Sequence, residues 1–294
     1  MLEGKVAIVT GAGRGLGRAE VLELARLGAR VVVNDIDEEP AAEVVEEVRS
    51  QGGEAIAYAC DVADWGQAQG LISAAIDGFG DLNILVNNAG FLRDRTIFNM
   101  TEEEWDSVVR VHMKGHFATM RFAASYWRDK SKSEGAPVYG RLVSTSSEAF
   151  IFGSPGQPNY AAAKAGIVAM TMSAAQALIK YGVTANVLMP RARTRLTNVG
   201  PLAAMFEKPE TGFDVFAPEN VSPLVGYLAS PLAERISGQV FIIYGKHVTV
   251  LGRPSTDTSF DSQDPWSVDN LHATLGPHFE KLEPVTDGFI VPSM

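Results

Sequence analysis

Cysteine is almost missing from this 294-residue sequence: Cys60 stands alone, so no disulfide can close within the chain. Such usage leads to the expectation of an intracellular, cytoplasmic protein. Cys60 ends the apolar run Ala55-Ile-Ala-Tyr-Ala-Cys60 and reads as a buried structural thiol. Long apolar runs are missing too. No segment holds the roughly 18 consecutive apolar residues that cross a bilayer, and no membrane partner is expected. The opening residues, Met1-Leu-Glu-Gly-Lys5, lead straight into a strand pattern without the layout of a secretory leader. Positive charge is in deficit, with 25 lysines and arginines against 35 acidic residues and a net charge of −10. That balance argues against nucleic acid, whose phosphates call for clustered Lys and Arg. Half of the excess lies in residues 252–294, where Arg253 and Lys281 face seven carboxylates, so the body is only mildly acidic. Neither an internal repeat nor a low-complexity run is found, and no metal site is expected.

What is present is a regular alternation of strand and helix patterns. Lys5-Val-Ala-Ile-Val-Thr10 reads as a buried strand. The glycine-rich Gly11-Ala-Gly-Arg14-Gly15-Leu16-Gly17 follows, and apolar residues then recur at helical spacing from 19 to 27. A strand, a glycine turn and a helix N-terminus together form a cradle for a pyrophosphate, although a glycine-rich turn can be structural only. The second strand ends at Asp35, where a carboxylate can bind ribose hydroxyls and repel a 2′-phosphate, so NAD is favoured over NADP. Arg14, inside the cradle, pulls the other way. Asp35 can alternatively serve as a helix cap, as can its neighbours Asp37 and Glu38.

Further helices are expected over 40–51, 65–79, 102–128 and 218–229, with strands over 54–60, 82–87, 141–145, 183–189 and 239–244. Thr101 and Glu104 form a capping box at the start of the long helix. The pattern predicts an α/β fold, one doubly wound, Rossmann-type parallel sheet flanked by helices over residues 1–251. Residues 252–294 read as an irregular acidic extension. In such sheets ligands bind beyond the carboxyl ends of the strands, where the glycine turn, Asp35, Asp61-Val62 and Asn88-Ala89-Gly90 all fall. The apolar but irregular stretch 196–216 reads as a lid over a non-polar substrate or as a packed insertion.

The candidate chemistry is in residues 144–164. Tyr160-Ala-Ala-Ala-Lys164 puts a phenol and an ammonium on one helix face. A nearby cation favours phenolate, which would bring Tyr160 towards a working acid/base range. Ser147 follows the fifth strand and can hold a substrate oxygen against Tyr160. Tyr and Lys four apart are weak alone; with the cradle upstream they point to alcohol oxidation.

From about residue 4 to 250 the chain resembles the short-chain dehydrogenase/reductase family. The matching residues are Thr10-Gly-x-x-x-Gly-x-Gly17, Asp61-Val62, Asn87-Asn-Ala-Gly90, Ser147 and Tyr160-x-x-x-Lys164. The resemblance implies hydride exchange between a nicotinamide cofactor and a carbinol carbon, with Tyr160 as acid/base. It further implies that Lys164 lowers the Tyr160 pKa and binds the nicotinamide ribose, that Ser147 orients the substrate oxygen, and that the protein is a homodimer or homotetramer. Three positions depart from the family pattern. His112 stands where an asparagine usually supports a proton-delivering water chain, and is either a proton shuttle or a packed histidine. Pro190-Arg191 replaces the usual Pro-Gly, while Thr194 keeps a hydroxyl near the nicotinamide carboxamide position. The final glycine pair reads Gly245-Lys246.

Within the family, Val-Val-Asn-Asp35, Phe91-Leu-Arg-Asp-Arg-Thr96, Arg110-Val-His112 and Gly156-Gln-x-Asn-Tyr160 are similar to the (3R)-hydroxyacyl-CoA dehydrogenase part of peroxisomal multifunctional enzymes and bacterial relatives. That similarity implies an acyl-CoA substrate, on a fatty or steroid side chain. Arg93, Arg95, Arg110, Lys114, Arg191, Arg193 and Arg195 form a basic subset that can meet CoA phosphates or be solvated surface charge. Other readings are a 3-oxoacyl carrier-protein reductase, a free steroid or sugar alcohol dehydrogenase, and a silent dinucleotide-binding sensor. The last has no need of Ser147, Tyr160 and Lys164 together.

Overall fold

The computed structural model describes residues 1–195, 197, 203–252, 254 and 256–282. Leu196 and Leu202 of the expected lid and Phe289 of the extension lie outside the described residues. The fold begins with β1 (Val6–Val9), whose four apolar residues are all fully buried, as expected of a strand covered on both faces. It runs into α1 (Gly15–Arg26), β2 (Arg30–Asp35), α2 (Glu38–Ser50), β3 (Ala55–Ala59), α3 (Trp65–Phe79) and β4 (Ile84–Asn87). Asp64 caps α3 by accepting from the Gln67 N–H at 2.9 Å.

The long fourth helix differs from the single run expected. It is α4 (Glu102–Val109), a π-helical turn over Arg110–Lys114, and α5 (Gly115–Glu134), which passes through the polar turn predicted at 131–135 as far as Glu134. The Thr101/Glu104 capping box is formed. The π turn inserts an extra residue into the helical ladder, and this kind of bulge commonly marks a functional position. Its one buried residue is His112.

After β5 (Gly140–Thr145) come the short α6 (Ala149–Phe152), α7 (Pro158–Leu178), β6 (Val183–Pro190), α8 (Ser222–Ala229), β7 (Val240–Tyr244) and β8 (His247–Val250). The sheet order is β3-β2-β1-β4-β5-β6-β7-β8, parallel except for the β7–β8 pair. β8 is an addition to the expected strands, turned back at Gly245-Lys246, where Gly245 has φ +51°. The strand order reverses between β1 and β4, which opens a crevice at their carboxyl ends. The extension is less irregular than its sequence suggests: α9 (Val268–Phe279) starts at a Ser267/Asn270 capping box, and none of its residues is buried.

Residues 158–181 are, by length and hydropathy alone, long and apolar enough to cross a membrane, with a third of an 18-residue window within them buried. The buried residues of α7, Ala163, Lys164, Ile167 and Thr171 among them, lie on the face turned to the sheet.

Glu20 on α1 is fully buried, and neither of its carboxylate oxygens has a hydrogen-bond partner among the described residues. Burial pushes its pKa from 4.5 up to about 8. The folded chain thus holds a proton that the unfolded chain releases above about pH 4.5, and stability due to this group falls as pH rises from there to about 8. Glu20→Leu is expected to raise the melting temperature at pH 8 by about 5–10 °C and to flatten this decline. Scanning calorimetry at pH 6 and 8 checks it; an unchanged midpoint at pH 8 would refute the burial cost.

Candidate active site

Pro158 opens α7 at a position where its missing N–H costs nothing. The next residue, Asn159, is fully buried and ties three segments together. Its Nδ2 donates to the carbonyls of Arg93 and Glu104, both at 3.0 Å, and its Oδ1 accepts from the Tyr160 N–H at 2.7 Å. Gln157 adds a bond to Asp94 at 3.0 Å. The loop 91–96 is thereby pinned to the first turn of the helix that carries Tyr160. From sequence Asn159 stands only within the Gly156-Gln-x-Asn-Tyr160 resemblance and has no role there; its place beside Tyr160, at the start of a helix, is the further signal.

One turn on, Lys164 is 3% exposed, donates from Nζ to the Thr145 carbonyl at 2.7 Å, and stands 5.3 Å from the Tyr160 ring centroid. Ser146 Oγ donates to the Lys164 carbonyl at 2.9 Å, fastening β5 to α7. Ser147 Oγ accepts from the Ala149 N–H at 3.2 Å and is hydrogen-bonded with Tyr160. The structure therefore brings Ser147, Tyr160 and Lys164 together at the carboxyl end of β5.

His112 joins them from the π turn, its ring edge-on to Tyr160 with centroids 5.2 Å apart. Its Nε2 lies 2.8 Å from the Phe91 carbonyl and 3.1 Å from the Phe91 N–H, and one tautomer satisfies only one of the two. Nδ1 has no partner among the described residues. Gly90 makes room for this ring, since a Cβ there would sit 2.2 Å from His112 Cε1. One turn further, His116 is also buried, with Nε2 unpartnered among the described residues. The sequence reading passed over His116, which has no motif of its own.

Burial dominates the electrostatics. Tyr160 is pushed up to about 12, first by burial and then by Asp94, while the Ser147 hydrogen bond pulls it down. Burial alone lowers Lys164 to about 7. His112 falls to about 3 through burial and the Lys164 charge, against the Phe91 carbonyl, and His116 is held well below its ordinary value for the same first two reasons. The expected lowering of Tyr160 by Lys164 is not found: burial is the leading cause for both groups, and each is costly to charge in this apolar pocket.

Next to this cluster, in the crevice at the β1–β4 switch point, lies a cavity of about 650 Å³. Gly11, Arg14, Gly15 and Leu16 line its cradle end, Asp35 and Asp61-Val62 one side, and Asn88-Ala89-Gly90 and Thr194 the other. Gly17 lies outside this wall and holds the turn itself, because a Cβ there would meet the Gly11 carbonyl at 2.4 Å. Asp35 is no cap of α2, a position taken by Asp37. Its carboxylate turns to the cradle and accepts from the Gly13 N–H at 2.9 Å, while Arg14 pairs with Asp37 at 3.6 Å. Cys60 is on the wall as an inert thiol, raised to about 12 chiefly by burial. A glycine turn opening a helix, with a carboxylate at the end of the next strand, fits a dinucleotide.

The short chain dehydrogenase family model matches residues 5–199. The chain belongs to the short-chain dehydrogenase family. A solved structure, a short chain dehydrogenase from Mycobacterium avium, is similar with a TM-score of 0.87 and 44% identity, covering 98% of this chain and 99% of that one. Hydroxyacyl-CoA dehydrogenase ChsB1 of Mycobacterium tuberculosis is 50% identical over 96% of this chain and 91% of its own. The peroxisomal hydratase-dehydrogenase-epimerase of Neurospora crassa is 37% identical over 85% of this chain, which spans 27% of that longer protein. This short-chain dehydrogenase is thus an oxidoreductase acting on CH–OH groups, in a family that uses nicotinamide dinucleotides.

The basic subset of this dehydrogenase is mostly committed elsewhere. Arg95 pairs with Glu104, Arg110 with Asp61, Arg191 with Glu148 and Arg193 with Asp214. Arg93 and Arg195 line the cavity, and the Arg93 guanidinium rests 4.9 Å from the Phe91 ring centroid. In the described part of the expected lid, Phe206 packs on Phe216 at 4.7 Å and the Arg193 N–H donates to the Phe216 carbonyl at 2.6 Å.

Proposed function

We propose that this dehydrogenase uses NAD to oxidise the 3-hydroxyl group of an acyl-CoA thioester, on a fatty or steroid side chain. What carries the proposal is the meeting of Ser147, Tyr160 and Lys164 beside a cavity with Asp35 at its ribose end. The substrate class is supported by the similarity to a hydroxyacyl-CoA dehydrogenase along nearly the whole chain. A bound nicotinamide would supply the acceptor for the hydride of the carbinol carbon. Ser147 holds the substrate oxygen and Tyr160 accepts its proton. Lys164 and His112 lie behind the phenol as the route by which that proton leaves. Asp35 would receive the adenosine ribose and Thr194 would meet the carboxamide, both lining the cavity.

A homodimer or homotetramer is supported by an apolar groove of about 690 Å³ on the outer faces of α5 and α7, where Phe117, Met120, Met170 and Leu178 meet Arg121 and Arg128.

Reduction of NAD⁺ and NADP⁺ with a panel of medium-chain and steroid-side-chain (3R)-hydroxyacyl-CoA esters tests the proposal. Turnover with NAD⁺ supports it; tight NADH binding without turnover of any ester would reject the substrate class. Arg93→Ala is further expected to raise KM for the CoA ester and not for its pantetheine analogue. Equal effects on both would remove Arg93 from CoA recognition.

A further inference from the structure

We propose that Arg191 is a positioning residue for Ser147: its two-pronged pair with Glu148 locks the turn that aims the serine hydroxyl at Tyr160. The inference rests on the role of Ser147 proposed above. Arg191 is itself anchored, since its N–H donates to the Ile243 carbonyl at 3.0 Å and its guanidinium stacks 4.7 Å from the Tyr244 ring centroid. From there Nε and Nη2 reach the two Glu148 oxygens at 2.6 and 2.8 Å. The side chains are only 15% and 9% exposed.

Glu148 directly follows Ser147. Its carbonyl accepts from the Ile151 and Phe152 N–H groups, and the Ala149 N–H donates to Ser147 Oγ at 3.2 Å. The serine is therefore held between a fixed carboxylate and the first turn of α6. A buried fork-to-fork pair contributes little net stability and much orientation. A glycine after Pro190 offers no such hold, so Arg191 gives the departure from the usual Pro-Gly a purpose. The Ser147 hydrogen bond also works against burial in setting the acidity of Tyr160. Loosening Ser147 accordingly moves the alkaline limb of the pH profile upward.

The experiment compares Arg191→Met, Arg191→Lys, Ser147→Ala, the Ser147→Ala/Arg191→Met double variant and Tyr160→Phe, all in the full chain. Arg191→Met is expected to lower kcat by about 10–10²-fold, with NADH affinity kept within about twofold. Its pH limb moves up, and Arg191→Lys recovers only part of the loss because a lysine cannot form the fork. In the Ser147→Ala background Arg191→Met costs no more than about twofold. Full additivity in this cycle, an unmoved pH limb, or wild-type kcat in Arg191→Met would each overturn the inference. If Arg191→Met fails to bind NADH, Glu148→Gln/Arg191→Met, which removes both buried charges, takes its place under the same criteria. Undiminished turnover in Tyr160→Phe would instead overturn the dehydrogenase assignment of the site.

Discussion

Tyr160→Phe is expected to cut turnover by about 10²–10⁴-fold while leaving NADH binding intact. Only the hydroxyl is removed. The ring keeps its edge-on contact with His112 and its place beside Lys164, so the fold of α7 and the cavity wall have no reason to change. The phenol, raised to about 12 by burial, is protonated at neutral pH. A protonated phenol is a donor for ketone reduction and a poor base for alcohol oxidation. The oxidation rate of the parent enzyme is therefore expected to climb as pH rises from 6 to 10, while the reduction rate, carried by a phenol that stays protonated below about 12, holds level over the same range. The phenylalanine variant has no phenol to titrate and loses the rise in oxidation. Initial rates in both directions from pH 6 to 10, with fluorescence titration of NADH as the binding control, check this. A variant with parental rates would take Tyr160 out of the chemistry.

Asp35→Asn is expected to shift the NAD⁺/NADP⁺ ratio of kcat/KM by about 10–10²-fold towards NADP⁺. Asparagine keeps an oxygen for the Gly13 N–H, which lies 2.9 Å from the native carboxylate, so the cradle keeps its shape and only the charge goes. A 2′-phosphate then meets no carboxylate at the strand end, and Arg14, paired with Asp37 at 3.6 Å in an exposed setting, is free to turn to it. Steady-state kinetics with both cofactors decide the matter. An unchanged ratio would transfer the selectivity to Asp37 and Arg14.

Much of the fold was legible because its signals are local. The apolar run at β1, the glycine turn into α1, the capping box at Thr101 and the limits of α3 are each written within a few consecutive residues. The π turn is not such a signal. Arg110–Lys114 keeps the composition of a helix, and the extra residue is accommodated where His112 packs under Gly90 and beside Tyr160. α9 was missed for another reason: Val268, Leu271, Leu275 and Phe279 recur at helical spacing, but Gly276-Pro277 falls inside the helix and reads as a stop signal.

For the site, residue types and spacing were enough to single out Ser147, Tyr160, Lys164, Asp35 and the glycine cradle, since a helical turn and a strand end place side chains predictably. The tertiary structure alone decided how those groups are charged and held. Tyr160 and Lys164 are both driven towards neutrality because their surroundings, drawn from β5, the loop after β4 and the π turn, exclude water. Long-range partners are equally unreadable from sequence: Asn159 reaches Arg93 and Glu104, and Arg191 reaches Glu148, across separations of 66, 55 and 43 residues. Sequence spacing determines which face of an element a side chain occupies; only the folded chain determines what stands opposite it and how much water remains between them.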